Sequence, residues 1–173
     1  MDPATLEQTA DGPRLRFVRE LAHPPEKVWR ALTEPAELAE WFPDTIEVIE
    51  WSVGAPLRFG AKPEVGGGFE GEVLSVEPPA LLAFRWGTDV LRFELEPTAQ
   101  GTRLTLFDAI DDVGKAARDG AGWHVCLDRL ELHADGREVP FTMPDRWREV
   151  HPSYVQQLGP EAATIGPPPG ALD

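Results

Sequence analysis

Residues 90–96 read VLRFELE, a run in which Leu91, Phe93 and Leu95 alternate with charged side chains. Successive side chains of a β-strand point to opposite faces, so this period of two predicts a strand with one apolar and one charged face. A sheet built from such strands has to bury its apolar face against another layer. The run therefore predicts a sheet that is covered on one side by helices.

The segments on both sides of this strand repeat the pattern at short spacing. Gly, Pro and Asp separate the runs, and the connections are of hairpin length, including a flexible one over residues 62–68. This predicts an antiparallel meander, since parallel strands need longer crossovers. An earlier strand is predicted over residues 14–21. The six strands of the meander are predicted at 45–51, 57–59, 69–76, 81–86, 90–96 and 102–107.

Three helices are predicted around these strands. Proline is favoured in the first turn of a helix, which predicts short helices over Pro25–Thr33 and Pro35–Phe42. A long helix is predicted over residues 123–133, and the acidic residues 108–119 before it are predicted as a loop or a frayed helix start. The apolar stripe of the long helix consists of Trp123, Cys126, Leu127 and Leu130.

The order of these elements gives the fold class. It is an α+β fold with a strand, two short helices and a six-strand antiparallel meander that curves around a long C-terminal helix. That helix is the only predicted element long enough to cover the apolar face of the sheet. We expect an apolar pocket between the helix and the concave face.

The predicted strands and helices carry many large aromatic side chains. Such side chains can interlock into a packed core or enclose a cavity, and the pattern is compatible with both arrangements. If a cavity exists, we expect its walls to be Trp41, Phe59, Phe69, Phe84, Trp86, Phe93, Trp123 and Leu127.

Bulk composition argues against several classes of partner. The chain has 173 residues, with 30 acidic and 16 basic side chains and a formal net charge of −14. Such a charge repels phosphate backbones and anionic lipid headgroups, so we expect neither nucleic acid nor a membrane as a partner. No run reaches membrane-spanning length, the first residues do not resemble a signal peptide, and the single Cys126 excludes an internal disulfide. A cytoplasmic protein is expected.

One family shares several of these motifs in the same order. Residues 28–35 read VWRALTEP and are followed by Leu38 and Trp41-Phe42; later matches are GEVL at 71–74, GTRLTL at 101–106 and Gly122-Trp123. The sequence resembles the START-like, or SRPBCC, helix-grip superfamily, and within it the homologues of the heat-shock-protein-90 ATPase activator. The resemblance covers residues 14–135. It implies a helix-grip fold whose cavity often accepts small apolar or amphipathic ligands.

The resemblance and the pattern together predict four segments. Residues 1–13 are expected to be a flexible arm, and residues 14–135 the helix-grip ligand-binding domain. Residues 136–159 are expected to be a helical extension packed on that domain. Residues 160–173, which contain Pro167-Pro168-Pro169, are expected to be a disordered tail.

Few ionisable residues are predicted to lie inside. His124 follows Trp123 near the predicted pocket mouth, and Arg19 has the same strand parity as inward-facing residues, so both are candidate ligand contacts. His124 and Asp128 are four residues apart, but no third metal ligand is evident, and we predict no metal site. Cys126 is expected to be a small buried residue. No catalytic motif is present, and no cofactor is predicted.

These observations favour binding of a small apolar or amphipathic molecule in an internal cavity. Two alternatives remain: a protein-interaction module, such as a chaperone cofactor, and a cyclase- or hydrolase-like enzyme on the same fold. The scarcity of inward-facing ionisable groups makes an enzyme the weaker alternative. The protein is expected to be a monomer or a homodimer, with Trp147 and Tyr154 as anchors for a second copy.

Overall fold

The computed structural model describes residues 3–60, 68–168 and 170. Its strands form one curved antiparallel sheet in the order β1-β2-β8-β7-β6-β5-β4-β3. The six-strand meander that the sequence predicts is confirmed as β3–β8. The strands are β1 (Thr5–Thr9), β2 (Gly12–Leu21), β3 (Ile46–Val48), β4 (Pro56–Phe59), β5 (Phe69–Glu77), β6 (Leu81–Trp86), β7 (Asp89–Thr98) and β8 (Gly101–Ala109). The hairpin connection predicted over 62–68 lies, except for Gly68, outside the described residues.

The alternation in β7 works as predicted. Leu91, Phe93 and Leu95 are buried, while Glu96 is exposed. A register shift between Val73 and Ser75 interrupts the pairing of β5 with β6, and such irregularities increase the local twist of a sheet. The apolar faces of the strands thereby come together on one side of the sheet, where the helices cover them.

The first residues differ from the flexible arm that we expected. Thr5–Thr9 forms β1, which pairs with β2 so that Leu6 lies opposite Leu15. Ala4 is fully buried, and its N–H donates to the hydroxyl of Tyr154 at 3.1 Å. The polar composition of this segment hid the strand, because an edge strand needs only one neighbour and a few buried side chains. Residues 1–2 lie outside the described residues.

Both short helices are confirmed. Helix α1 spans Pro25–Thr33 and helix α2 spans Pro35–Trp41, each with proline in its first turn. The indole N–H of Trp41 donates to the carbonyl of Ala31 at 2.8 Å, which fixes the angle between the two helices. This turn brings Trp41 and Phe42 under the sheet.

The long helix begins earlier than the sequence predicted. Helix α3 spans Ala116–Ala134, and a 3-10 helix over Val113–Lys115 leads into it. The Asp112 side chain accepts a hydrogen bond from the Gly114 N–H at 2.8 Å and so caps this start. Gly120 and Gly122, predicted to precede the helix, lie inside it. Of the loop or frayed helix start predicted over residues 108–119, the helix start is observed from Val113, while residues 108–109 belong to β8.

The last part of the chain packs on α3. Helix α4 spans Met143–Leu158 and places Tyr154, which is 1% exposed, against α3. Tyr154 therefore packs within the chain. The expectation that it anchors a second copy was wrong, because its side chain is buried. None of the helices in the described ranges combines the length and apolar character needed to cross a membrane.

The tail is ordered as far as it is described, contrary to the disordered segment we expected. Pro160–Ala163 forms a 3-10 helix in which Ala162 is buried. The N–H of Ile165 donates to the carbonyl of Gly114 at 3.0 Å, and this bond holds the segment across the start of α3. Proline is unfavourable in the interior of a helix or strand, but it is compatible with a short turn that packs. Residues 169 and 171–173 lie outside the described residues.

Candidate functional site

The space between the sheet and α3 is filled by an aromatic core, which we define as Trp41, Phe42, Phe59, Phe84 and Phe93. All five side chains are at most 5% exposed. Neighbouring rings are in contact: the centroids of Phe84 and Phe93 lie 6.0 Å apart, and those of Trp41 and Phe93 lie 6.1 Å apart. Leu127 of α3 is equally buried. Five of the predicted wall residues (Trp41, Phe59, Phe84, Phe93 and Leu127) therefore pack in the interior, where we had expected a cavity.

A cavity of about 250 Å³ lies beside this core, between the end of β6, α3, α4 and the tail. We call it the tryptophan cavity, because the rings of Trp86, Trp123 and Trp147 form its walls. Two of the predicted wall residues, Trp86 and Trp123, thus line a cavity. The remaining lining residues are Pro43, Arg118, Asp119, Gly122, Cys126, Met143, Pro144, Pro167 and Pro168.

The three indole N–H groups of the tryptophan cavity all donate to protein acceptors. Trp86 donates to an Asp44 carboxyl oxygen at 2.9 Å, and Trp123 to an Asp108 carboxyl oxygen at 3.0 Å. Trp147 donates to the carbonyl of Arg118 at 3.2 Å. A buried indole needs such a partner, and its ring is then held in one orientation. What the rings present to the cavity is therefore apolar surface.

Trp123 separates the aromatic core from the tryptophan cavity. Its ring centroid lies 5.5 Å from that of Phe42 in the core and 5.1 Å from that of Trp86 in the cavity wall. The side chain is 2% exposed, and Asp108 holds its N–H. One residue thus closes the core and at the same time forms the wall of the cavity.

Asp108, which accepts the N–H of Trp123, belongs to a cluster of carboxyl groups. Asp89, Asp108 and Asp119 each place an oxygen within 4.8 Å of the others, and the Lys115 ammonium donates to Asp89. Burial, with the nearby Asp89 and Asp119 carboxylates, raises the pKa of Asp108 well above its ordinary value. Within the described part of the chain, one oxygen of Asp108 and one of Asp119 accept no hydrogen bond.

This carboxyl cluster is the described group whose spacing comes nearest to a metal-ligating set. Carboxylate oxygens suit hard cations such as Mg²⁺ or Ca²⁺. The position beside Asp89, however, is taken by the Lys115 ammonium, which the exposed Asp111 also contacts at 2.6 Å. The cluster therefore carries its own cation.

His124 lies in a different buried cluster, beneath α4. Its Nδ1 lies 3.0 Å from the Tyr154 hydroxyl, and its Nε2 lies 3.6 Å from Asp128. Arg146 of α4 donates to Asp128 at 3.1 Å. Burial lowers the pKa of His124, which favours the neutral ring. Together with the bond from Ala4 to Tyr154, these contacts join β1, α3 and α4.

The two remaining predicted residues lie outside the tryptophan cavity. Arg19 is 4% exposed on β2, and its charge acts on both His124 and Tyr154. Phe69 is 36% exposed at the start of β5, where it stacks on Phe59 at 5.2 Å. Contact of a ligand with these residues stays a prediction.

Sequence reasoning missed one wall of the cavity. Trp147 was interpreted as an anchor for a second copy, and Met143, four residues earlier on α4, was not singled out. The spacing of these two residues indicates a shared helix face, but it does not indicate what that face covers. Asp119 was missed because its segment was predicted as a loop.

Comparison with known proteins gives a family and a fold. Residues 22–135 match the family described as Activator of Hsp90 ATPase homolog 1-like protein. No curated protein matches the chain significantly.

Three solved structures illustrate the similarity. A conserved protein of unknown function from Enterococcus faecalis has a TM-score of 0.70 at 22% identity, covering 90% of this chain and 91% of its own. CalU16 from Micromonospora echinospora has a TM-score of 0.69 at 23% identity, covering 90% and 95%. DynU16, from the dynemicin biosynthetic locus, has a TM-score of 0.61 at 28% identity, covering 72% of this chain and 48% of DynU16.

Proposed function

This chain belongs to the Activator of Hsp90 ATPase homolog 1-like family, and from that premise we propose that it binds a small, flat, apolar molecule in the tryptophan cavity. The observation that carries the proposal is a cavity walled by three tryptophans whose N–H groups all have acceptors in the protein. Ligand sites are mostly apolar concavities with few polar groups, and this cavity has that character.

The size and charge of the cavity limit the ligand class. Its volume of about 250 Å³ lies just below the range of about 300–1,000 Å³ that is usual for ligand pockets, which favours a molecule of one or two fused rings. The charged groups of the lining, Arg118 and Asp119, are bound to each other at 2.6 Å. Because the chain as a whole is strongly acidic, we expect neutral or cationic aromatic molecules to bind better than anionic ones.

The protonated thiol of Cys126 in the cavity wall favours binding of a ligand over its chemical conversion. Burial raises the pKa of Cys126 to about 12, so the thiol remains protonated and is a poor nucleophile at neutral pH. Chaperone binding and enzymatic activity, the two other functions considered from sequence, stay predictions. A cytoplasmic location and the oligomeric state stay predictions as well.

Titration with indole, naphthalene and 2-naphthoate tests the proposal, with calorimetry and tryptophan fluorescence as readouts. We expect the two neutral molecules to bind and 2-naphthoate to bind this cavity more weakly. Trp147→Ala should weaken binding of the neutral molecules at least about tenfold, since it removes a whole wall of apolar contact.

Trp51→Ala is the matched control. Trp51 is also half-buried and also donates to a backbone carbonyl, that of Thr33 at 2.8 Å, but it lies outside the cavity. Binding should survive in this variant. Absence of binding to the unmodified protein, or equal losses in Trp147→Ala and Trp51→Ala, would contradict the proposal.

A further inference from the structure

A second concavity lies between α2, residues 43–46 and α3. Its volume is about 450 Å³, and it is separate from the tryptophan cavity apart from the shared residue Pro43. Most of its surface comes from apolar side chains, and its polar side chains are few. The lining residues are Pro35, Leu38, Ala39, Phe42, Pro43, Asp44, Thr45, Ile46 and Arg129. We call it the Arg129 groove.

Arg129 is the only basic side chain in that lining. It is half-buried on α3, and its Nε is shielded from solvent without accepting or donating a hydrogen bond to any described residue. Across the described part of the chain it forms no ion pair, although acidic residues outnumber basic ones 30 to 16. A buried donor without a partner is costly, so a site that leaves one open is suited to an acceptor from outside.

The next turn of α3 carries a side chain that does have an acidic partner at this interface. His133, four residues after Arg129, contacts Glu37 of α2 at 2.7 Å. The residues of α2 that line the groove with Arg129 are Pro35, Leu38 and Ala39, whose side chains have no acceptor atom. The contact between α2 and α3 therefore supplies an acid for His133 and none for Arg129.

The single carboxyl group of the lining is already engaged. Asp44 accepts the Trp86 N–H at 2.9 Å and so already has a partner within the protein. Arg129 is thus the charged group that is left to meet a ligand. A guanidinium binds a carboxylate through two parallel N–H···O bonds, while Leu38, Phe42 and Ile46 offer apolar surface to the rest of such a molecule.

We propose that the Arg129 groove binds a small apolar carboxylic acid in its ionised form, with Arg129 holding the carboxylate. This goes beyond the function proposed above, because it is a second site with the opposite charge preference. The net charge of −14 repels anions at long range, so retention of such a ligand rests on the local contact with Arg129.

Octanoate and octanol, which differ in the charged group, are the probes. Calorimetry should show octanoate binding more tightly than octanol, by roughly 10- to 100-fold, the range for one charge-assisted contact. Arg129→Gln should lower octanoate affinity to the level of octanol, and Arg129→Lys should retain part of the difference. Amide chemical shifts of Leu38, Ala39 and Ile46 should move on binding in the unmodified protein.

Two controls separate this site from the tryptophan cavity. Arg85→Gln removes the same charge from an exposed position on β6 and should leave octanoate binding unchanged. Trp147→Ala should also leave it unchanged, so failure of the tryptophan cavity and failure of the Arg129 groove give different results. Equal octanoate affinity in Arg129→Gln and the unmodified protein, no octanoate binding at all, or loss in Trp147→Ala instead would overturn the proposal.

Discussion

The aromatic core and the tryptophan cavity are built from the same kinds of side chain and meet at Trp123, yet the rings of the core are packed and those of the cavity enclose open space. In the core, each ring contacts other rings, and no side chain is more than 5% exposed. In the cavity, hydrogen bonds to Asp44, Asp108 and the Arg118 carbonyl hold each indole at the wall. Trp41 of the core is anchored as well, to the Ala31 carbonyl at 2.8 Å, so a polar anchor alone does not create open space. The space lies where α4 and the tail meet α3 and the end of β6.

The largest effect on the free energy of unfolding is expected when a large side chain is removed from the aromatic core. Phe84→Ala removes a 1% exposed ring that stacks on Phe59 and Phe93, and should cost about 3–5 kcal/mol of unfolding free energy in urea titrations. If the two regions are independent, the folded fraction should still bind indole. Phe107→Ala, on the other face of the sheet where Arg14 covers a half-buried ring, is the control and should cost about 1 kcal/mol. Similar losses in both variants would contradict a packed interior.

A smaller effect is expected at the helix that closes the cavity. The Cβ added by Gly120→Ala would lie 2.8 Å from the Tyr154 ring, so α4 has to shift away from α3. We expect a net loss of about 1–2 kcal/mol in urea unfolding, because overpacking outweighs the higher helix propensity of alanine.

Gly122→Ala, two residues along the same helix, is the control for that experiment. Its added Cβ meets nothing within 4 Å, and Gly122 lines the tryptophan cavity. This variant should be more stable by about 0.5–1 kcal/mol and should bind indole more weakly, since the methyl group enters the cavity. Destabilisation by Gly122→Ala, or none by Gly120→Ala, would contradict the described contact between α3 and α4.

The smallest effect concerns Asp108, whose carboxyl group accepts the N–H of Trp123 between the aromatic core and the tryptophan cavity. Because the folded-state pKa of Asp108 is raised, the folded protein binds this proton more tightly than the unfolded chain does. Its contribution to stability is therefore present below the unfolded pKa of 3.8 and is lost as pH rises through the folded pKa. Asp108→Asn should remove this decline in urea titrations from about pH 4 upward.

Asp111→Asn provides a control of opposite sign. The hydrogen bond from Lys115 lowers the pKa of Asp111, so that side chain contributes stability above its unfolded pKa that is lost as pH falls. Replacing it should reduce stability at neutral pH slightly, and should leave the decline caused by Asp108 in place. An unchanged pH profile in Asp108→Asn would show that this carboxyl is ionised alike in both states.

The sequence predicts the local elements well and the empty space poorly. The alternation of residues 90–96 and the prolines at 25 and 35 each report a local preference, and the structure follows them. The early start of α3 was missed because a single cap at Asp112 determines it. Trp147 was found in the sequence, but its place in a cavity wall depends on how α4 docks, which no local pattern encodes. Whether a cavity forms depends on the whole arrangement of neighbouring residues. Trp41 and Trp86 therefore look alike in sequence, although Trp41 packs in the core and Trp86 lines the cavity.

The walls of the tryptophan cavity come from residues that leave the ribosome at very different times. Trp86 and Trp123 precede Met143 and Trp147 of α4, and the tail that carries Pro167 and Pro168 follows later still. The sheet and α3 precede these residues in the chain and so leave the ribosome before them. Until α4 packs on α3, the apolar surface of α3 near Trp123 is uncovered and can associate with other nascent chains. The cavity is therefore complete only after α4 and the tail have packed on α3.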